Sequence, residues 1–181
     1  MAPPLISYRS FSSTDLPRIR DIDRSEGIDV LYIQRGTQLE ERHGDFDSPN
    51  WFTEGDGEHS YAEQQAYVEK LLASGAVALG AFDGERLAGI GVLFPHLRRG
   101  IAQLAYLHVS NGYRAGGIGK RLSDDLDRIA RGGGDTEIVV SATPSRNTVR
   151  FYMARGYQPM AEPLPELFAL EPEDVHLHKQ L

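Results

Sequence analysis

The stretch 107–120 constrains the fold more than any other part of the sequence. The apolar run from Ile101 to Val109 predicts a buried strand, and the apolar residues that recur from Ile118 to Ile129 at helical spacing predict a helix. A glycine-rich turn joins the two. In such a strand–turn–helix unit the backbone N–H groups of the turn and the positive end of the helix make an anion site. Glycine lets a phosphate approach the main chain.

The residues around this unit predict one α/β domain over residues 1–181, with a mixed, mostly antiparallel sheet flanked by helices. Asp83-Gly84 between two apolar runs indicates a hairpin, and Pro95 is expected to end the second run. The predicted strands are 5–9, 76–82, 87–94, 101–109, 136–141 and 175–181, with another beginning at Tyr157. The predicted helices run from Ser12–Thr14 to about Arg24, from Ser60 to before Gly75, from Ile118 to before Gly132, and over 145–154.

The stretch from Gln34 to Glu58 is rich in glycine and acidic residues. It predicts a long loop, with a short helix near 37–42. Long loops often carry function, so the aromatic pair Trp51-Phe52 in its middle is a candidate cover for an acceptor pocket. The pair could equally serve to anchor the loop.

Composition narrows the function classes. The chain has no cysteine, which excludes disulfides, thiolate metal sites and a cysteine nucleophile, and which fits a reducing cytoplasmic location. The net charge of −7 argues against nucleic-acid binding and favours cationic partners such as amines. No apolar run is long enough to span a membrane. His176 and His178 share one face of a strand, but without a third ligand we expect a sheet surface and no metal.

The glycine-rich turn also carries a motif, and several ordered motifs agree with it. Arg114-Ala115-Gly116-Gly117-Ile118-Gly119 has the pattern R-x-x-G-x-G, and Leu107-His108-Val109 ends the strand before it. Phe151-Tyr152-Met153-Ala154-Arg155-Gly156-Tyr157 follows on a later predicted helix, and a last predicted strand lies within 174–181. Over roughly 76–181 the sequence resembles the GNAT family, the Gcn5-related N-acetyltransferases.

The resemblance implies acetyl-CoA as the acyl donor and an amine as the acceptor. The backbone of Leu107, His108 and Val109 would pair with the pantetheine arm. Tyr152 matches the tyrosine that is usually proposed to protonate the departing thiolate, and Phe151 beside it would also line the cofactor site. The pyrophosphate would lie on the backbone of Arg114, Ala115, Gly116, Gly117, Ile118, Gly119 and Lys120.

The sequence departs from the family pattern at two places. Family members often carry a cofactor-binding asparagine seven residues before the tyrosine, where this chain has Ser145, with Asn147 two residues later. Either residue could bind pantetheine, and Asn147 is our candidate. For the general base, the candidates are His108, whose intrinsic pKa suits the role, and Glu26. A water chain without a dedicated residue is a third possibility.

The function that follows is acetyl transfer from acetyl-CoA to a primary amine of a small molecule, by direct attack. Two alternatives stay open within the family resemblance: a protein N-acetyltransferase, and a non-catalytic coenzyme A-binding protein. A third alternative function, unrelated to the family, is that of a nucleotide- or phosphate-binding module that uses the same turn. A homodimer is also plausible by resemblance.

Overall fold

The structure is a computed structural model that describes residues 5–181. Within this range it has nine strands and four α-helices. The strands are β1 (Ile6–Ser10), β2 (Glu26–Arg35), β3 (Gln38–Ser48), β4 (Val77–Asp83), β5 (Arg86–Arg98), β6 (Ile101–Val109), β7 (Glu137–Ala142), β8 (Gln158–Pro159) and β9 (Val175–Gln180). The helices are α1 (Tyr61–Ala73), α2 (Ile118–Gly132), α3 (Arg146–Met153) and α4 (Pro165–Leu170), with a 3₁₀ helix at Ser13–Asp21.

Seven of the strands form one mixed sheet in the order β1-β4-β5-β6-β7-β9-β8, with β6 at its centre. Every pair is antiparallel except β6 with β7, which run parallel. A helix-containing crossover is required between parallel neighbours, and α2 supplies it. The predicted α/β class and mostly antiparallel mixed sheet are confirmed.

The helices cover both faces of this sheet. On one face the 3₁₀ helix and α1 pack on β5 through a cluster that includes Ile19, Val68 and Ile90. On the other face α2 lies close to β5, because Gly89 and Gly91 leave room for it. Leu122 and Leu126 of α2 are completely buried there. We call these the α1 face and the α2 face.

The predicted long loop from Gln34 to Glu58 is only partly confirmed: its first part belongs to a hairpin, residues 49–58 are loop, and the predicted short helix near 37–42 is wrong. β2 and β3 pair antiparallel, and the turn between them places Gly36 in the left-handed region, at φ +59°. The sequence hides β3 because most of its side chains are exposed on both faces, so no apolar alternation appears. Backbone pairing to β2 holds β3 in place. The β2 strand is itself attached to the segment after β7, because the Tyr32 N–H donates a hydrogen bond to the Pro144 carbonyl over 2.8 Å.

Three further details differ from the expectations. The first helix is 3₁₀ and ends at Asp21. Pro95 does not end its strand, because β5 continues to Arg98 through an irregular stretch in which His96 takes φ +53° and no ladder N–H is needed. The short helix α4 was missed, since its six residues follow a proline-rich stretch and show no usable periodicity.

Close packing of α2 on β5 gives a test of the fold. A methyl group at Gly89 would lie 2.8 Å from Ile118 and 3.3 Å from the His108 carbonyl. We expect Gly89→Ala to destabilise the protein by about 1–3 kcal/mol, as overpacking of a core does. Gly27→Ala is the matched control, because nothing lies within 4 Å of its added methyl group. Urea denaturation measures both, and equal unfolding midpoints for the two variants would contradict the packing argument.

Candidate active site

The centre of the sheet holds a gap. Parallel pairing of β6 with β7 covers only Ile101–Gln103 against Glu137–Val139, after which the two strands part. The register between β5 and β6 shifts at the same level, because Val92 faces Tyr106 whereas Leu93 faces Leu104. Ala105 is therefore an extra residue, a β-bulge, and a bulge bends its strand and increases the local twist. The bulge and the gap coincide, so the bent end of β6 has β5 on one side only.

The bulge also changes which side chains face which helix. Before it, Ala102 and Leu104 pack in the cluster of α2 residue Leu126. Beyond it, the even-numbered Tyr106 packs on the α1 face, while Leu107 packs against the α2 face. One inserted residue has switched the alternation.

Backbone groups of β6 face the gap at alternate residues. The Ser110 N–H donates to the Ala88 carbonyl of the β5 side over 2.9 Å. Antiparallel pairs alternate between bonded and non-bonded positions, so Leu107 and Val109 direct their N–H and C=O groups away from β5. This edge is an open template for an extended ligand rich in amides. The backbone of His108 points to β5 instead.

The glycine-rich turn follows directly at the end of β6. Residues 111–113 form a short 3₁₀ turn, and α2 begins after Gly117, which has φ +79° and open space where a side chain would be. Ala115 also takes a left-handed conformation, at φ +65°. Residues 114–117 are exposed. An exposed turn with left-handed residues ahead of a 15-residue helix suits a phosphate group, as the sequence predicts.

The two cationic side chains of this turn, Arg114 and Lys120, are both engaged within the protein. The Arg114 Nε donates to the Val109 carbonyl over 3.1 Å, and its Nη1 donates to the Ser25 carbonyl over 2.9 Å. Lys120 pairs with Asp124 one helical turn later, at 2.5 Å. Arg114 therefore fixes the turn against β6 and still has free N–H groups, since a guanidinium carries five.

A short segment, Asp23–Glu26, crosses the mouth of the gap. On the β6 side the Asp23 N–H donates to the Ser110 Oγ over 3.0 Å. On the β7 side the Glu26 Oε1 accepts from the Asn147 Nδ2 over 2.6 Å. Two residues that the sequence nominated separately, Glu26 and Asn147, are thus hydrogen-bonded to each other. Ser145 is fully buried and caps α3, which accounts for the serine at that position.

Tyr152 lies on the β7 side of the gap. Its side chain is 5% exposed and packs edge-on against Phe151 and Tyr157, with ring centroids at 5.1 and 5.3 Å. Burial, with the Asp174 carboxyl as the next cause, raises the pKa of Tyr152 well above its usual value. The hydroxyl thus stays protonated at neutral pH, as an acid requires. Phe151 lies against the start of α2, where a methyl group at Gly119 would be 3.2 Å from its ring.

His108 lies on the α1 face in an aromatic cluster. Its ring is 5.0 Å from Trp51 and 4.5 Å from Tyr106, centroid to centroid. Burial, and after it the charges of Arg24 and Arg114, lower the pKa of His108 to about 3. The imidazole is therefore neutral at pH 7 and weakly basic, which counts against His108 as the general base. Trp51 is 3% exposed and anchors its loop, whereas Phe52 beside it is 61% exposed.

The sequence analysis did not single out four polar residues, Glu63, Tyr67, Glu171 and Asp174. Glu63 and Tyr67 of α1 interact electrostatically with Glu171, the residue after α4. Burial raises the pKa of Tyr67 and the Glu171 charge adds to the rise, while burial raises the pKa of Glu171 and the Glu63 charge adds to that rise. We call these three side chains, with Asp174, the α1–α4 region. Asp174, just before β9, lies near Glu171. No local motif marks these residues. Glu171 and Asp174 follow α4, a short helix that the sequence did not predict.

The prediction that His176 and His178 share a sheet surface is wrong for His176. His176 is 1% exposed, hydrogen-bonds the Ser141 Oγ at 3.2 Å and the Glu171 carbonyl at 3.0 Å. His178 pairs with Glu137 at 2.6 Å. Among residues 5–181 no group of three or more metal-ligating side chains exists. Within that same range no helix is long and apolar enough to cross a membrane.

Comparison with known proteins agrees with this geometry. The model of the Acetyltransferase (GNAT) family matches residues 39–157. Nourseothricin acetyltransferase has a similar structure, with a TM-score of 0.72 and 16% identity over 97% of this chain and 98% of that chain. A putative streptothricin acetyltransferase from Bacillus anthracis, solved with acetyl coenzyme A, gives 0.72 and 15% over 98% and 99%. The PaiA N-acetyltransferase from Thermoplasma acidophilum, solved with coenzyme A, gives 0.64 and 17% over 98% and 99%.

No curated protein matched the chain. The family match, which spans well over half of the sequence, establishes that the chain belongs to the acetyltransferase (GNAT) family. It is an acyltransferase, and its donor is acetyl-CoA. The free edge of β6 and the exposed turn are the parts of the site that fit such a donor, since pantetheine offers amides and the turn offers N–H groups to a pyrophosphate.

The state of His108 gives a pH prediction. Its pKa in the folded protein, about 3, lies below the ordinary 6.5. The unfolded chain then binds more protons between these values, so stability falls as the pH drops below about 6.5. The slope for one such group is at most about 1.4 kcal/mol per pH unit. We expect His108→Gln to flatten the decline in urea midpoint from pH 7 to 5, whereas His43→Gln, at an exposed site, should not. Parallel declines in all three proteins would refute it.

Proposed function

We propose that the protein transfers the acetyl group of acetyl-CoA to the primary amine of a small molecule, by direct attack of the amine on the thioester. The observation that carries this proposal is the gap itself. It combines an open strand edge at Leu107 and Val109, a phosphate-accepting turn, and a protonated tyrosine hydroxyl at Tyr152. Direct attack is further supported because the chain contains no cysteine to form a covalent intermediate.

The acceptor side supports a cationic small molecule. The α1–α4 region carries the carboxyl groups of Glu63, Glu171 and Asp174 and the ring of Tyr67, which is 40% exposed. Carboxylates and aromatic faces are the groups that bind ammonium ions. The net charge of −7 adds a general attraction for cations.

Residues on the two sides of the gap would have different roles in the reaction. The edge of β6 would hold the pantetheine amides, and a backbone N–H near Val109 would stabilise the oxyanion that forms on the carbonyl oxygen. Tyr152 would donate its proton to the thiolate sulfur as the carbon–sulfur bond breaks. Holding donor and amine in line supplies much of the rate enhancement.

The first test is calorimetric titration with acetyl-CoA, followed by an acceptor screen with streptothricin, spermidine, lysine and an N-terminal peptide. We expect Arg114→Ala to weaken acetyl-CoA binding about 10- to 100-fold, the range for lost charge-assisted hydrogen bonds. Arg131→Ala is the control, because it removes an exposed arginine from the last turn of α2, at the opposite end of the helix from the turn that carries Arg114. Absence of acetyl-CoA binding by the unaltered protein would overturn the proposal. Binding without transfer to any acceptor would favour the non-catalytic alternative.

Tyr152 gives a second test. Tyr152→Phe removes only the hydroxyl, so with acetyl-CoA saturating we expect kcat to fall about 10²- to 10⁴-fold, as for loss of a general acid. The acetyl-CoA Kd should change little. Tyr67→Phe removes a hydroxyl from the α1–α4 region instead, and its effect should fall mainly on the KM for the amine. Unchanged kcat in Tyr152→Phe would reject the acid role.

A cytoplasmic location and a homodimeric state remain predictions of the sequence. Cell fractionation decides the first, and light scattering of the purified protein decides the second.

A further inference from the structure

A cavity of about 230 Å³ lies outside the gap, between β2, α4 and the start of β9. Its apolar walls include Ile33, Phe168 and Pro172. Ile33 and Phe168 are 42% and 48% exposed, so these walls leave apolar surface open to solvent. None of the described residues that line it belongs to β6, β7 or the turn after β6. Drug-sized ligands occupy about 300–1,000 Å³, so this smaller space suits one functional group on a short chain. We call it the β2–α4 cavity.

Asp174 is the one carboxylate among the described residues that line the β2–α4 cavity. It stands two residues before His176 at the start of β9, and side chains at that spacing in an extended chain lie on the same side. The His176 ring marks this side, because its centroid is 5.8 Å from that of Phe168, which also lines the cavity. Val175 between them is completely buried in the core instead. The Asp174 carboxyl is therefore directed to the cavity.

The other polar side chains of the cavity are paired within the protein. Since a carbonyl oxygen can only accept, the His176 Nε2 carries the proton that is donated to the Glu171 carbonyl over 3.0 Å. The Nδ1 of the same ring accepts from the Ser141 hydroxyl at 3.2 Å. The Gln34 Oε1 accepts from the His176 N–H over 2.7 Å, and its Nε2 donates to the Met160 carbonyl over 2.9 Å. These bonds join β2, β9 and the end of α4, so the walls of the cavity are fixed.

The Asp174 carboxyl differs from its neighbours because it has no partner. Within residues 5–181 neither a hydrogen bond nor a cation stabilises its ionised form. Its oxygens are not among the unpaired atoms that are fully buried, so they stay open to the solvent of the cavity. Burial, with the Glu171 charge as the lesser cause, raises the pKa of Asp174 to about 7. A partly buried carboxylate without a cation is costly, and an ammonium ion beside it would lower that cost.

We propose that the β2–α4 cavity is a binding site for an alkylammonium group, a protonated amine on a short apolar chain. The ammonium pairs with the Asp174 carboxylate, and its chain lies against Ile33 and Phe168. The Phe168 ring adds a π face, which attracts cations. The site is separate from the gap, and binding there does not depend on the proposed acetyl transfer.

The first experiment measures binding without acetyl-CoA. The carbon-13-labelled full-length protein is titrated with n-butylammonium at pH 8, where Asp174 is ionised, and the NMR signals of the Ile33 methyl groups and the Phe168 ring are followed. We expect both to shift and to saturate together. 1-Butanol has the same number of heavy atoms and no charge, so it should bind at least about 10-fold more weakly. Equal affinities of the two probes, or no shift of these signals, would overturn the proposal.

The same titration on two variants tests the carboxylate. Asp174→Asn keeps the shape of the side chain and removes its charge, so we expect the n-butylammonium Kd to rise about 10- to 100-fold, the range for a lost charge-assisted hydrogen bond. The matched control is Glu173→Gln, which removes an exposed carboxylate next to Asp174 that does not line the cavity. Its Kd should equal that of the unaltered protein. Undiminished binding by Asp174→Asn would overturn the assignment of the carboxylate.

Kinetics distinguish two sources of such a group, the second amine of a diamine acceptor and a separate small amine. With acetyl-CoA saturating, KM is measured for 1,5-diaminopentane and for n-butylamine. If the acceptor is the source, Asp174→Asn should raise the KM of the diamine about 10- to 100-fold and leave that of the monoamine unchanged. If both KM values stay unchanged while n-butylammonium binding is lost, the source is a separate amine. If the unaltered protein acetylates neither amine, the proposed function fails for these acceptors, and the NMR titration still decides the site.

Discussion

The early end of pairing between β6 and β7 is the constraint on which the rest of the site depends. Three residue pairs hold the two strands parallel, and beyond Gln103 the bulge at Ala105 bends β6 away. A sheet that closed fully would leave no free edge and no passage between its faces. Because the strands part, β7 offers no partner to the backbone of Leu107 or to the N–H of Val109, whereas the Val109 carbonyl is taken by Arg114. A donor with amides along its length supplies what the missing strand would have supplied.

The gap also separates two kinds of electrostatic environment. At the end of β6 the turn and the start of α2 present N–H groups and a helix terminus, which favour the phosphates of the donor. The carboxyl groups of Glu63, Glu171 and Asp174 in the α1–α4 region give a negative environment, which suits the cationic acceptor that we propose. In that proposal the two substrates carry opposite charges, and the two environments would help to keep each substrate out of the other's position.

Much of the fold was accessible from the sequence because long apolar strands and amphipathic helices have clear periods. The proposed cofactor half of the site was accessible for the same reason: it is contiguous, from Leu107 to Lys120, and local geometry largely determines it. The hairpin of β2 and β3 was not, since β3 is exposed on both faces and depends on its partner. The proposed acceptor half was missed because Glu63 and Glu171 lie far apart in sequence and no local motif relates them. A one-residue bulge, such as the one at Ala105, also leaves no signal in the hydrophobic period of a strand.

That single extra residue makes β6 a strand with two phases. On one side of Ala105 even-numbered positions belong to the interior beneath α2, and on the other side they belong to the α1 face. Removal of Ala105 would leave every side chain on its present face, because Leu104 and Tyr106 would become neighbours that alternate in the ordinary way. What the deletion would remove is the bend, and with it the divergence of β6 from β7. The extra residue therefore matters for the path that it gives the backbone and not for the side chain that it carries.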